Sequence, residues 1–298
     1  MAVTGAAAVA AAGTALVVPA AARAAYAYDP NDFAVAVVSS TGLPATGLYD
    51  DPQAVLGRPT LRFNAGSTAS PDYHRAKLNE APYNVGTAGE KLLTTVAQGS
   101  SVTVRMGRPV TNDPRNPFGV DLIVFGNAAY GGTGGGGFTS DATNLNAFTL
   151  NGTSFAEPTK VSVSPDGVSW YRYDNGPYAD GTYPTNGYVW NTAAATWTDT
   201  ETDPTLPVDP ALASTVAGKS AATVLDTVYA GSAGGTGFDL AESGFASIQF
   251  VRIEGLTDFA GGEIDAIADV RPVPEPTAVG LLATAAAAGL LGRRRPTV

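Results

Sequence analysis

Glu263 and Asp265 stand two residues apart in the segment EIDAIADV, Glu263–Val270. Strict alternation there places Ile264, Ala266, Ala268 and Val270 on one face of a strand and Glu263, Asp265, Ile267 and Asp269 on the other. Two carboxylates on one strand face repel each other unless a cation or solvent lies between them. A hard cation such as calcium takes roughly six to eight oxygens, and the carbonyls of a kinked loop can complete such a set. The competing account is a solvated strand face flanked by turn aspartates. Asp239 and Glu242, in FDLAE, offer a second acidic contribution, with Asp239 equally suited to capping a helix or turn.

A second chemistry is suggested between residues 170 and 197, where tyrosines and tryptophans crowd together. A sugar ring needs an apolar platform with hydrogen-bonding groups beside it. Tyr183, Tyr188, Trp190 and Trp197 lie in a Pro/Thr/Asp-rich stretch that could present such a platform, whereas Trp170 sits in an alternating strand and reads as core. The alternative is a long loop that pins itself down with its own aromatics.

Other chemistries are excluded or poorly supported. The chain has no cysteine, which removes disulfides, thiolate metal sites and a thiol nucleophile. It has one histidine, His74, so a poly-histidine zinc site is excluded, and no nucleophile motif surrounds that residue. The glycine run Gly131–Gly137 lacks the Gly-Lys-Ser/Thr of a phosphate loop. No catalytic constellation is legible, and the expectation is a non-enzymatic protein. With 17 Lys+Arg against 27 Asp+Glu the net charge is −10, and four of the positive charges, Arg23 and Arg293–Arg295, fall in the terminal segments. A body this acidic repels nucleic-acid phosphates.

The elements that would position these residues are strands. Phe33–Ser39, Ser101–Met106 and Thr223–Tyr229 carry strand-like patterns. Gly119–Gly126 (GVDLIVFG) is a continuous apolar run, expected of a strand buried on both faces. Thr159–Ser164 and Val168–Tyr173 flank Pro165-Asp166-Gly167 as a hairpin. In Ile248–Ile253 the apolar phase switches after Phe250, which predicts a bulge. Asp50–Pro59, Gly131–Gly137 and Asp174–Asp209 read as loops. At least eight strands without a long amphipathic helix argue for one all-β antiparallel sandwich over residues 28–271.

The two ends read as addresses. Residues 1–27 are an Ala/Val/Leu-rich run ending in small-x-small sites, as in a secretory signal peptide cut near residues 24–27. At the other end, residues 272–298 hold an extended Pro-rich linker, the 14-residue apolar run Ala278–Leu291 and the cluster Arg293, Arg294 and Arg295. As a helix that run spans roughly 21 Å, short against a hydrocarbon core of ~30 Å.

Pro274-Glu275-Pro276, the apolar run and the arginines together resemble the PEP-CTERM sorting signal. That resemblance implies export from a Gram-negative bacterium and processing by an exosortase. It further implies only transient membrane contact through the tail, and a life at the cell surface or in a matrix of exopolysaccharide. DDPQAVLGRP, VDLIVFGN, VSVSPDGVSWYRY and EIDAIADV resemble, in that order, uncharacterised secreted proteins with the same tail, whose body looks like a galactose-binding-like jelly roll. The jelly-roll likeness implies a structural calcium ion between an early loop and the last strand, which here means Asp50, Asp51, Glu263 and Asp265. A carbohydrate-binding module with a defined sugar site and a secreted glycan-active enzyme are the two other functional expectations.

Overall fold

The computed structural model describes residues 26–44, 47–62, 75–84, 91–135, 144–181, 183–256 and 261–272. The leader up to residue 25, the sorting signal with Pro274, Glu275, Pro276 and Arg293–Arg295, and His74 lie outside them. The chain is mostly β. Five strands form one sheet in the order β1 (Ala34–Thr41), β3 (Ser101–Thr111), β12 (Ser247–Gly255), β7 (Thr159–Ser164) and β8 (Tyr171–Arg172). A second sheet runs β11 (Thr236–Phe238), β4 (Leu122–Gly126), β13 (Gly262–Asp269) and β2 (Thr94–Val96). Two hairpins complete the set: β5 (Ala129–Thr133) with β6 (Thr149–Phe155), and β9 (Tyr188–Asn191) with β10 (Thr196–Glu201). All these strand pairings are antiparallel.

The two large sheets share one core. Val102, Val104 and Met106 from β3, Val161 and Val163 from β7, and Val251 and Ile253 from β12 meet Leu122, Val124, Ile264 and Ile267 from the second sheet. Burying a Val, Leu or Ile completely contributes about 1.5–3 kcal/mol relative to leaving it in water. The second sheet is covered on its other face too, where Ile123 and Phe125 join Phe33, Ala233, Ala266 and Ala268. That double cover explains why β4 is an unbroken apolar run: Leu122 and Val124 face one core, Ile123 and Phe125 the other. A third cluster around Phe148, Trp190, Val224 and Tyr229 lies among the connecting segments.

The expected hairpin is present, with Ser162 opposite Arg172 and Gly167 at φ 78°. The register with β3 breaks between Ile248 and Phe250, but the extra residues lie on β3 rather than on β12, since Ile248 faces Val110 and Phe250 faces Arg105. Three further expectations need correction. Thr223–Tyr229 is not a strand. Ala221–Val224 (α1) is helical and continues as a wider π turn through Leu225–Tyr229. The buried residues Ala221, Val224, Leu225, Val228 and Tyr229 follow helical spacing, and the Ser220 hydroxyl caps the start by accepting the Thr223 N–H at 3.1 Å. A seven-residue window that starts at Thr223 misses that period. Second, Asp174–Asp209 is not all loop, since it holds the β9–β10 hairpin. Third, β13 does not alternate cleanly. A register shift between Ile264 and Ala266 puts Ile264 and Ile267 in one core and Ala266, Ala268 and Val270 in the other.

Candidate functional site

The bulge in β13 decides where its carboxylates go. Asp265 is buried, and its Oδ2 accepts the Thr60 N–H at 2.8 Å. Burial pushes its carboxyl up to about 8, against the pull of that hydrogen bond. Asp50 pairs with Lys91 at 3.3 Å. Asp51 caps the 3-10 turn Pro52–Val55 by accepting the Gln53 N–H at 2.8 Å. Asp239 caps Leu240–Ser243 in the same way, through Ala241 at 2.7 Å. Each of these aspartates has a partner supplied by the protein.

Glu263 lies in different company. Ligand oxygens of Glu157, Asp180 and Glu263 all fall within 4.8 Å of one another, and neither Asp50, Asp51 nor Asp265 belongs to that group. Three segments bring the trio together. Glu157 lies between β6 and β7. Two residues on, Thr159 and Ala179 exchange backbone hydrogen bonds at 3.0 Å each, which sets Asp180 beside the same loop. Gly262, at the start of β13, lies so close to the Glu157 carbonyl that a Cβ there would overlap it. Gly126, at the end of β4, likewise leaves the space that the Asp180 carboxylate fills. Opposite Glu263, Thr95 in β2 donates its hydroxyl to Oε1 at 2.9 Å.

Only one of Asp180's two carboxylate oxygens is satisfied. Oδ1 accepts the Ala128 N–H at 2.7 Å, while Oδ2 is buried with no partner. Glu263 Oε2 and Asn127 Oδ1 are also buried without partners. The Asn127 side chain hydrogen-bonds Glu263. Burial raises the Asp180 carboxyl well above the usual range, and the Glu263 and Glu157 charges add to the shift. Burial raises Glu263 too, reinforced by the hydrogen bond and charge of Glu157. Among the described residues no Lys or Arg forms a salt bridge to any of the three.

The aromatics expected to bind sugar are mostly spent on packing. Trp190 is 5% exposed, and its indole N–H donates to Asn146 Oδ1 at 2.8 Å. Trp197 faces it across the hairpin with ring centroids 5.1 Å apart, edge to face. Tyr183 is buried against Tyr229 and donates its hydroxyl to the Asp209 carbonyl at 2.7 Å. The Arg75 guanidinium lies 4.1 Å above the Tyr188 ring. Trp170, expected in a strand and in the core, instead directly precedes β8 and is half-buried under Arg252, at 4.0 Å. Of the four rings expected to bind sugar, only Trp190 and Trp197 pack on each other, while Tyr183 and Tyr188 pack on Tyr229 and Arg75 outside the stretch.

Tyr178 is different. Its ring lines an open groove of about 390 Å³ with Asn175, Pro177 and Pro158. Sequence reasoning did not single out Glu157, Asp180 or Asn127, and counted Tyr178 only among the aromatics that crowd residues 170–197. Asn127, directly after a fully buried strand, and Asp180, directly before a glycine, were the available signals. Compared with known proteins, the chain matches no family, no curated protein and no solved structure.

Proposed function

We propose that the body is an exported, non-enzymatic β-sandwich of the cell surface or extracellular matrix. In this reading the PEP-CTERM tail delivers it, an exosortase processes it, and it works in contact with exopolysaccharide or cell-surface glycans. Its sandwich is a jelly roll of the galactose-binding-like kind. One observation carries the reading beyond the sequence: the two ends of the body meet. Arg271, directly before the Pro-rich linker, donates to the Ala27 carbonyl at 3.1 Å and pairs with Asp32. Arg108 from β3 pairs with Asp32 as well, and with Asp29 at 3.1 Å and Asp269 at 3.4 Å. The ion pairs of this patch lie wholly within residues 28–271, so cutting off both address segments leaves them in place. Intact-mass measurement on protein recovered from fractionated cells tests this. A surface or extracellular species lacking both ends supports the reading, and a cytoplasmic species that keeps its triple-arginine terminus refutes it.

A defined sugar site is the second reading, favoured by the open Tyr178 groove rather than by the buried Trp190 or the half-buried Trp197 packed on it. Polysaccharide binding that is lost in Tyr178→Ala would support it, and binding that survives the substitution would end it.

A further inference from the structure

We propose that Glu157, Asp180 and Glu263, completed by Asn127, form a calcium site that ties the β6–β7 loop and the segment after β8 to the start of β13. The set shares only Glu263 with the ligands that the jelly-roll likeness implies, and it does not depend on whether the protein is exported.

Proximity of the carboxylates is the first support. The second is independent of it. Asn127 is 8% exposed, hydrogen-bonds Glu263 through its side chain, and leaves Oδ1 buried with no partner. With an ion bound, that amide would turn over, giving up its hydrogen bond to Glu263 to offer its oxygen as a fourth ligand. Asp180, 2% exposed, holds a second orphaned oxygen in the same place. Buried polar atoms in folded proteins nearly always have partners, and three neighbouring carboxylates, which offer only oxygen, call for a hard cation. Nitrogen and sulfur ligands are absent from the set, which disfavours zinc. Magnesium demands near-ideal octahedral geometry, whereas calcium accepts the uneven spacing of ligands drawn from two loops and a strand end.

The local backbone suits this purpose. Asp180 adopts φ 54°, a left-handed conformation that Asp tolerates better than most residues, and this turns the side chain in while the Thr159–Ala179 bridge holds the segment. Gly126 and Gly262 leave room for the carboxylate and the loop respectively. Glu157 and Glu263 stay half-buried, so water can fill the remaining positions on the ion.

The test uses the full chain, stripped with chelator and titrated with calcium chloride by isothermal calorimetry and by thermal melting, with magnesium chloride as the comparison. The expected result is one calcium per chain and a Tm rise of about 5–10 °C once calcium exceeds its Kd a hundredfold. Asp180→Asn and, separately, Glu157→Gln should each weaken calcium binding at least tenfold. In chelator Asp180→Asn should melt no lower than the parent, because it removes repulsion among buried like charges. Asp50→Asn and Asp51→Asn should keep the full calcium response. Three results would overturn the proposal: no calcium bound at millimolar concentration, undiminished binding in Asp180→Asn or Glu157→Gln, or a response lost on changing Asp50 or Asp51. If Asp180→Asn fails to fold, the parent titration and Glu157→Gln still decide.

Discussion

Two groups of three carboxylates lie at separate places in this sandwich, and they solve the same problem differently. Asp29, Asp32 and Asp269 gather around Arg108, with Arg271 reaching Asp32 from the C-terminal side. Asp32 is fully buried, yet two guanidinium groups compensate it. Glu157, Asp180 and Glu263 bring ligand oxygens within 4.8 Å of one another and have no such partner among the described residues. In the first group the chain carries its own cations. In the second it leaves oxygens orphaned, and burial raises Asp180 and Glu263 with like charges adding to the shift, whereas burial raises Asp269 of the first group to about 7 against the pull of Arg108. Buried negative charge is costly unless something positive is near, so a group without a protein cation is either protonated or built for an ion.

Substitutions can break or sharpen this contrast. The largest effect is expected from Asp32→Ala, which strands Arg108 and Arg271. Their side chains are 41% and 37% exposed, so the loss should be about 2–4 kcal/mol, below that for a wholly buried pair, read from the denaturant midpoint. Next comes Gly262→Ala, whose Cβ would overlap the Glu157 carbonyl. It should cost about 1–3 kcal/mol and weaken any calcium response, because Glu157 is pushed away from Glu263. Removing a carboxylate from the second group should have the opposite sign to Asp32→Ala: in metal-free buffer Asp180→Asn should gain up to about 1 kcal/mol in the same denaturation assay. A destabilisation like that of Asp32→Ala would erase the contrast.

The smallest effect should come from Asp166, an exposed carboxylate that neutral donors satisfy. It accepts the Ser169 N–H at 2.7 Å and the Val168 N–H at 2.8 Å, and these hold its carboxyl down at about 2. A depressed pKa contributes stability above the unfolded value near 4 and loses it as pH falls toward 2. Asp166→Asn should therefore melt slightly below the parent at pH 7, with the gap closing by pH 2. A gap that widens in acid would mean the turn is held by something else.

Much of the scaffold was legible in the sequence, because strand burial leaves local marks. The GVDLIVFG run announced a strand covered on both faces, and the phase change near Phe250 marked the place where the β12–β3 register breaks, though the extra residues are on β3. The second bulge, in β13, left no such mark. EIDAIADV alternates well enough on paper, and only pairing with β4 shows the slip that sends Asp265 to Thr60 and leaves Glu263 with Glu157 and Asp180. The helix through Val224 and Tyr229 was hidden because its period shows only when Ala221 is included. The aromatic stretch was ambiguous for another reason: a ring that stacks a sugar and a ring that packs a core are the same residue type, and exposure separates them.

The sequence by itself determined the β-rich class, the strand positions with strong local patterns, the acidic charge and the exclusion of thiol chemistry. These follow from residue type and short-range periodicity. Tertiary structure alone decided which carboxylates meet. Residues 157, 180 and 263 are far apart along the chain, and they converge only because a backbone bridge at Thr159–Ala179 and two side-chain-free glycines let three segments approach. Proximity of that kind depends on long-range packing, to which no local pattern in the chain is sensitive.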